Sequence, residues 1–316
     1  MVKANAYGHG LREIAPLLSP NVDYFGVHTF EDAVTLRKLK LKNNTLITST
    51  VPPSQLQSVQ KYNLSICVPS LDYLSSIKNL HLSVHLKVNT GMNRLGFSLI
   101  ELLSAIEIIR HSSLKLEGIY THFHSADDNK SATLTQLDAF EQAVFQTKYY
   151  FPHILAHCAN SAAIFRYPES HLDMVRSGLA LYGLYKNASL KPILSWKAHP
   201  VQSRLVEPGE TVGYGAAHTF QTPTHMSTLP FGYSDGYDRK LGNLGHVFFK
   251  KISYPIVGRI SMNFTTIETG NTLLKPTDTI ELIGPHLPVQ EIANQLGTIN
   301  YEVVSRLGSA TPRLII

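Results

Sequence analysis

At 316 residues the chain exceeds one ordinary domain, so two domains, or one large barrel with an addition, are expected. Its 28 basic and 23 acidic side chains leave a formal charge of +5, but the one local Lys/Arg cluster, from Arg37 to Lys42, reads as a solvated helix end, and no basic stripe with interleaved aromatics points to nucleic acid. No segment approaches the ~18 apolar residues of a membrane span, the N-terminus lacks the charged-then-apolar pattern of a signal peptide, and Cys67 and Cys158 sit in apolar runs as buried free thiols would; a cytoplasmic protein is expected.

The chain opens on Met-Val-Lys-Ala-Asn-Ala-Tyr-Gly-His-Gly. Lys3 stands at the end of a strand stub and leads into a loop with Gly8 and Gly10, a setting that suits Schiff-base formation with a carbonyl compound. Tyr7, four residues on, is placed to give a hydroxyl to the same pocket. From Val22 short apolar runs alternate with amphipathic ones. Strands are predicted at Asp23–His28, Thr45–Thr50, Ser65–Pro69, Ser83–Asn89, Glu117–His122, Ile154–Asn160 and Asp173–Ser177. Between and after them, helices are predicted at Phe30–Lys40, from Pro52-Pro53 through Tyr62, and at Leu71–Leu80, Leu99–His111, Thr133–Tyr149, Ser161–Arg166 and Leu179–Tyr185. A helix after every strand implies a parallel sheet. Seven strands and the stub at Lys3 make eight units, so the fold class expected is α/β, a TIM-type (β/α)8 barrel with a truncated first strand.

After about Lys186 the texture changes. Thr/Val/Ile-rich segments alternate with Gly, Pro-Gly and Asn turns: Gln202–Val206, Met226–Pro230, His246–Lys250, Ile256–Ile260, Asn263–Glu268 and Thr279–Ile283, with one helix at Val289–Leu296. A mostly antiparallel β domain is predicted for 191–316, after a barrel over 1–190.

In TIM-type barrels the chemistry sits at the C-terminal ends of the strands. Those ends here carry Lys3, Lys87 and Asn89, His122, Asn160 with Ser161, and Arg176. Arg94 follows a glycine turn in Lys-Val-Asn-Thr-Gly-Met-Asn-Arg-Leu-Gly-Phe, which aims a guanidinium into the barrel mouth to hold a phenolate or carboxylate; a surface arginine is the plain alternative. His122 has an aromatic face for a flat conjugated ring, or is a packed core histidine. Asn160 and Ser161 stand at a strand-to-helix turn, which makes a phosphate site, an ordinary helix cap, or both. Arg176-Ser-Gly178-Leu179 closes the last strand, where a barrel often holds phosphate through backbone amides such as those of Gly178 and Leu179. Tyr214 lies between two glycines, so its hydroxyl reaches outward from a turn. Fifteen histidines raise the question of a metal, but no Cys-x-x-Cys or His-Glu-x-x-His accompanies them, so none is expected.

These motifs, in this order, resemble those of the alanine racemases, pyridoxal-phosphate enzymes. The resemblance runs from Lys3 to Pro312-Arg313. It implies interconversion of L- and D-alanine for peptidoglycan, pyridoxal 5'-phosphate (PLP) on Lys3, and a homodimer with shared active sites. Lys3 and Tyr214 of the partner subunit would be the two bases. Tyr7, Arg94, His122, Asn160, Ser161, Arg176, Gly178, Leu179 and Ser309 would bind cofactor, with Arg176 facing the pyridine nitrogen. Arg94 and Met262 would contact substrate, and Tyr233 would stand at the entrance. Lys87 corresponds to a lysine that is often carbamylated and bonded to the arginine at 94. Three departures accompany the match. The family has a few dozen residues before its lysine, whereas Met1 stands two residues away here; Asn263 replaces the usual Asp; and Ser309 replaces a phosphate-contacting tyrosine. The other readings are a broader-specificity amino-acid racemase, and a non-catalytic PLP-binding protein or inactive truncated racemase.

Overall fold

A computed structural model describes residues 1–187 and 189–316. They form two compact units, Met1–Ala6 with Leu11–Leu190, and Tyr7–Gly10 with Lys191–Ile316.

The first unit is built on a parallel sheet of six strands hydrogen-bonded in chain order: β1 (Tyr24–Val27), β2 (Asn44–Ile47), β3 (Ser65–Val68), β4 (Ser83–Lys87), β5 (Lys115–Tyr120) and β6 (Leu155–His157). Each is short and nearly all buried, as strands covered on both faces must be. Helices connect them, and their starts follow from capping residues. Thr29 accepts from the Asp32 amide, Ser70 from Tyr73, Asn129 from Ala132 and Asn160 from Ala163; Ser98 and Glu101 form a reciprocal capping box. This is the TIM-type α/β barrel arrangement.

Two expected barrel positions differ from regular strands. Asp173–Ser177 forms no strand. The Asp173 carboxylate takes the Ala156 N–H (2.8 Å) and Lys148 Nζ (2.7 Å), so a side chain stands where a backbone ladder would run. Among the described residues, the segment's backbone-to-backbone bonds to the neighbouring β6 segment are Asp173 N–H to Ala156 O and Arg176 N–H to Ala159 O. On the other side of the sheet, Val2 N–H donates to Gly26 O (2.9 Å) and the Met1 amine to Ser177 O (2.8 Å). A cleft of about 430 Å³ lies between β1 and residues 171–177. Leu179–Tyr182 is a single 3-10 turn, shorter than the helix expected there, and a helix at Leu11–Leu18 was not anticipated.

The second unit is antiparallel. A three-stranded sheet has β8 (Gln202–Val206), β11 (Thr224–Leu229) and β14 (Thr265–Gly270), with β11 central; a four-stranded sheet runs in the order β13 (Ile252–Pro255), β12 (His246–Phe249), β15 (Ile280–Ile283), β7 (Trp196–Ala198); and β9 (Thr211–Val212) pairs with β10 (His218–Thr219). Val206, Phe220, Met226 and Val257 make one core cluster. The strand expected at Ile256–Ile260 is instead a turn after β13, because Gly258 (φ +75°) breaks the extended run. Asn300–Ser305 adds a second helix beside Val289–Leu296. Among the described residues no helix is long and apolar enough to cross a membrane.

Candidate active site

β4 ends at Lys87, β5 runs through Tyr120 into Thr121 and His122, and β6 ends at His157 just before Asn160 and Ser161, so parallel strands deliver these side chains to one end of the sheet. Lys3 begins a left-handed turn: Ala4, Asn5, Ala6 and Tyr7 all have φ between 52° and 54°. Each non-glycine residue held there costs about 1 kcal/mol. The turn is over-determined by the Ala6 N–H on Val2 O (3.0 Å) and the Leu11 N–H on Asn5 Oδ1 (2.9 Å). Burial, then Arg94, then Arg176 hold the Lys3 amine below its ordinary value.

The electrostatics of this end are one-sided. Burial, followed by Arg176, Lys87, Arg94 and Lys3, keeps His122 well below the usual imidazole value, and among the described residues no carboxylate counts with them among the groups acting on it. The Lys87 amine lies 4.5 Å over the Tyr120 ring and is pushed down to about 7, first by burial and then by Arg176. Cations gathered without an acid are suited to an anionic ligand.

Arg176 is held by four of its five N–H groups. Nη1 donates to His157 O and His157 Nδ1 (both 2.8 Å), and Nη2 to Thr121 O (2.7 Å) and Cys158 O (3.1 Å); His122 Nδ1 stands 3.5 Å from Nη2. Among the described residues Nε–H has no protein acceptor, which leaves it for a ligand.

Asn160 caps the helix Ser161–Arg166 through Oδ1 on the Ala163 N–H (3.0 Å). Ser161 Oγ accepts from the N–H groups of Gly178 (3.0 Å) and Ala180 (3.1 Å). The Gly178 amide is thus engaged by Ser161, whereas Leu179 begins a 3-10 turn. Of the residues read as phosphate donors, Ser161 and Gly178 are joined directly through Ser161 Oγ, and Asn160 adjoins Ser161 at the helix start.

One positioning residue escaped the sequence reading. Gln136, buried within the helix Lys130–Tyr150, accepts the His124 N–H (3.0 Å) and donates to Thr90 Oγ1 (3.2 Å) and His122 O (3.3 Å). Thr90 Oγ1 in turn meets Thr121 Oγ1 at 2.7 Å. A glutamine in mid-helix carries no sequence signal for such a role.

Tyr7, Tyr214, Tyr233, Met262 and Ser309 belong to the second unit. Tyr214 is 69% exposed between Gly213 (φ +82°) and Gly215 (φ +72°); the first would press a Cβ onto the Arg259 amide, the second onto the Arg259 guanidinium. Tyr233 and Met262 are exposed on two loops tied together by Tyr233 N–H to Ser261 O, Ser234 N–H and Oγ to Met262 O, and Asn263 Nδ2 to Ser234 Oγ. Burial, then Tyr301, raises the Tyr7 phenol above its ordinary value, and Ser309 is exposed. Among the described residues no group of three or more His, Cys, Asp or Glu is placed to hold a metal.

A family model for the alanine racemase N-terminal domain matches residues 1–186, and one for the alanine racemase C-terminal domain matches residues 193–315. An alanine racemase of Desulforamulus reducens is 36% identical over 336 residues, covering 100% of this chain and 91% of the relative; one of Streptococcus suis is 37% identical over 332, covering 99% and 89%. Among solved structures, alanine racemase from Bartonella henselae with covalently bound pyridoxal phosphate superposes with a TM-score of 0.90 at 30% identity, covering 100% of this chain and 91% of that one. The enzyme from Bacillus anthracis with bound L-Ala-P gives 0.93 at 27%, covering 100% and 87%.

Proposed function

The chain belongs to the alanine racemase family and is a PLP-dependent enzyme that racemises alanine; from that premise we propose that it works with two bases, Lys3 and Tyr214 of the partner subunit, in a homodimer that supplies D-alanine for peptidoglycan. The observation that supports it best is the cluster of Lys3, Lys87, Arg94 and Arg176 around His122.

The residues present fit PLP. A desolvated amine suits its aldehyde, the Ser161 hub suits its phosphate, the spare Arg176 Nε–H suits its ring nitrogen, and the cations suit its overall negative charge. When bound, the cofactor stabilises negative charge on the substrate Cα. Everything else is the protein's. A lowered amine value lets Lys3 reach its neutral, nucleophilic form at lower pH. Arg94 holds the alanine carboxylate. Arg176 presents a guanidinium N–H that donates and cannot accept, so a ring nitrogen held there would stay unprotonated, and full delocalisation, with its transamination side reaction, would be disfavoured. Lys3 takes or returns the Cα proton of D-alanine and the tyrosine that of L-alanine, on opposite faces. A phenol titrates ordinarily near ~10, and the neutral His122 beside Arg176 is the hydrogen-bonding partner assigned to help it.

Asn160, Gly178 and Leu179 join Ser161 around the phosphate, with hydroxyls carried over for Tyr7 and Ser309; Tyr233 is carried over to the entrance and Met262 to the substrate. Lys87, with much of its amine neutral near pH 7, is assigned to carbamylation: the neutral nitrogen bonds to the carbon of CO2, one proton leaves, and an anion replaces the amine beside Arg94 and Arg176.

Purified protein with PLP is expected to show visible absorbance that Lys3→Ala abolishes. Tyr214→Phe is expected to cut turnover sharply and unequally in the two directions. Equal and mild losses both ways would defeat the two-base assignment.

A further inference from the structure

Beneath Arg176 a second polar layer crosses the barrel interior, and nothing so far has used it. His157 Nε2 lies 3.0 Å from His85 Nδ1, both rings are fully buried, and His85 Nε2 is a buried nitrogen with no partner among the described residues. Hydrogen-bond chemistry fixes the direction of this chain. A guanidinium only donates, so His157 Nδ1, 2.8 Å from Arg176 Nη1, must be the acceptor. Neutral His157 then carries its proton on Nε2 and gives it to His85 Nδ1. His85 must accept there, so its own proton is on Nε2, the atom left without a partner.

The surroundings agree. Burial holds His157 well below the usual imidazole value, and holds His85 down to about 4 although Glu117 opposes it. Tyr120 stacks on His157 (4.9 Å, 2° between planes) and fixes the ring's plane. His85 fills the space over Gly118, where a Cβ would come within 2.3 Å of its Nδ1. Both imidazoles turn a lone pair toward the guanidinium and an N–H away, so their dipoles add in stabilising a buried cation that no carboxylate neutralises.

We propose that His85 is a positioning residue for Arg176: by accepting from His157 Nε2–H it reinforces, from the far side of the ring, the tautomer in which His157 Nδ1 receives the guanidinium, and so helps aim Nε–H of Arg176 at its ligand. The consequence for turnover rests on the reading above, in which that ligand is the cofactor's ring nitrogen. Without His85, the proton of His157 is free to move to Nδ1, where it faces an Arg176 N–H, donor against donor.

The test compares His85→Asn, whose amide oxygen takes the place of Nδ1 as an acceptor, with His85→Leu, which has no acceptor. Both remove the ring, so a packing role moves them together. In ¹⁵N-histidine-labelled full-length protein, with and without PLP, His157 is expected to be protonated at Nε2 in the wild type and in His85→Asn, and to gain the Nδ1–H form in His85→Leu. Turnover of alanine is expected to fall on the order of tenfold in kcat in His85→Leu, the scale of one charge-assisted hydrogen bond, with KM little changed and His85→Asn close to the wild type. An unchanged His157 tautomer in His85→Leu overturns the proposal, as do equal losses in the two variants. Wild-type protein without alanine turnover overturns the functional reading instead, and the tautomer comparison still decides the relay.

Discussion

Lys87 offers the sharpest quantitative test of how this site is built. Its amine is buried over Tyr120 among arginines and held near 7, against an ordinary 10.5 in the unfolded chain. The gap of about 3.5 corresponds to about 5 kcal/mol at 1.36 kcal/mol per pH unit. Between pH 7 and 10.5 the unfolded chain holds more protons at this site than the folded one, so stability rises with pH across that window. Below pH 7 both states are protonated and the full penalty applies. Lys87→Met keeps most of the stem and removes the charge. The variant is therefore expected to be more stable than the wild type by up to about 5 kcal/mol below pH 7, with the difference shrinking by about 1.4 kcal/mol per pH unit and vanishing near 10.5. The buffer must be free of CO2, since carbamylation would convert the cation to an anion and remove the penalty from the wild type alone. Trp196, the chain's single tryptophan, lies in the second unit, so its fluorescence reports the wrong part of the molecule. Amide exchange of β3, β4 and β5 against pH is the appropriate measurement. A difference that does not vary with pH, or a variant less stable than the wild type below pH 7, would refute the claim that an uncompensated cation is stored there.

Four further substitutions test separate parts of the structure. Gly8 has φ +78°, and a Cβ would fall 1.7 Å from Val304 O, so Gly8→Ala should cost on the order of 3 kcal/mol in thermal unfolding of the second unit. Gly209→Ala, at φ +89° with nothing within 4 Å, should cost only about 1 kcal/mol, and equal losses would mean that the contact at Gly8 is immaterial. Gln136→Leu strands the His124 N–H and unties Thr90 from the His122 loop; a loss of about 2 kcal/mol by chemical denaturation is expected, with weakened alanine binding as the second readout. Gly118→Ala drives a methyl into His85 Nδ1, so it should reproduce the His157 tautomer change of His85→Leu without touching a histidine.

What the sequence disclosed, and what it withheld, divides along a physical line. Buried parallel strands announce themselves because both faces must be apolar: Ser-Ile-Cys-Val at β3 is buried at every position and was read within one residue. Caps work the same way, since a helix end needs a local acceptor, and Asn160 supplies one three residues before the amide it binds. Local chemistry writes itself locally. The misreadings all arise where a distant or non-backbone partner decides. Asp173–Ser177 looks like a strand, but a carboxylate has taken the hydrogen bond that a ladder would use. Ile256–Ile260 is apolar enough for a strand, yet Gly258, in a left-handed turn, gives its N–H to Asn243 Oδ1 and not to a ladder partner. The left-handed run from Ala4 to Tyr7 contradicts the preference of Ala4, Ala6 and Tyr7. Such a conformation survives only where surrounding contacts impose it, and it stands directly after Lys3, the lysine proposed to carry the cofactor.

The same division applies within the site. Lys3, His122 and Arg176 were legible as candidates because ionisable residues at strand ends are conspicuous by position, and Arg94 because it follows a glycine turn. His85 was not, because a histidine between Val84 and Leu86 looks like one polar step in an alternating strand, and only three-dimensional proximity to His157 gives it a task. Residues that meet a ligand can be guessed from where the chain must present them. Residues that orient those side chains are spread over other strands, 72 positions away in the case of His85 and His157. A buried cation ringed by other cations needs such support from neutral dipoles, since any carboxylate close enough to neutralise Arg176 would also compete for it with the ligand. Two neutral imidazoles, each directing its lone pair toward the guanidinium, meet that need without adding a negative charge.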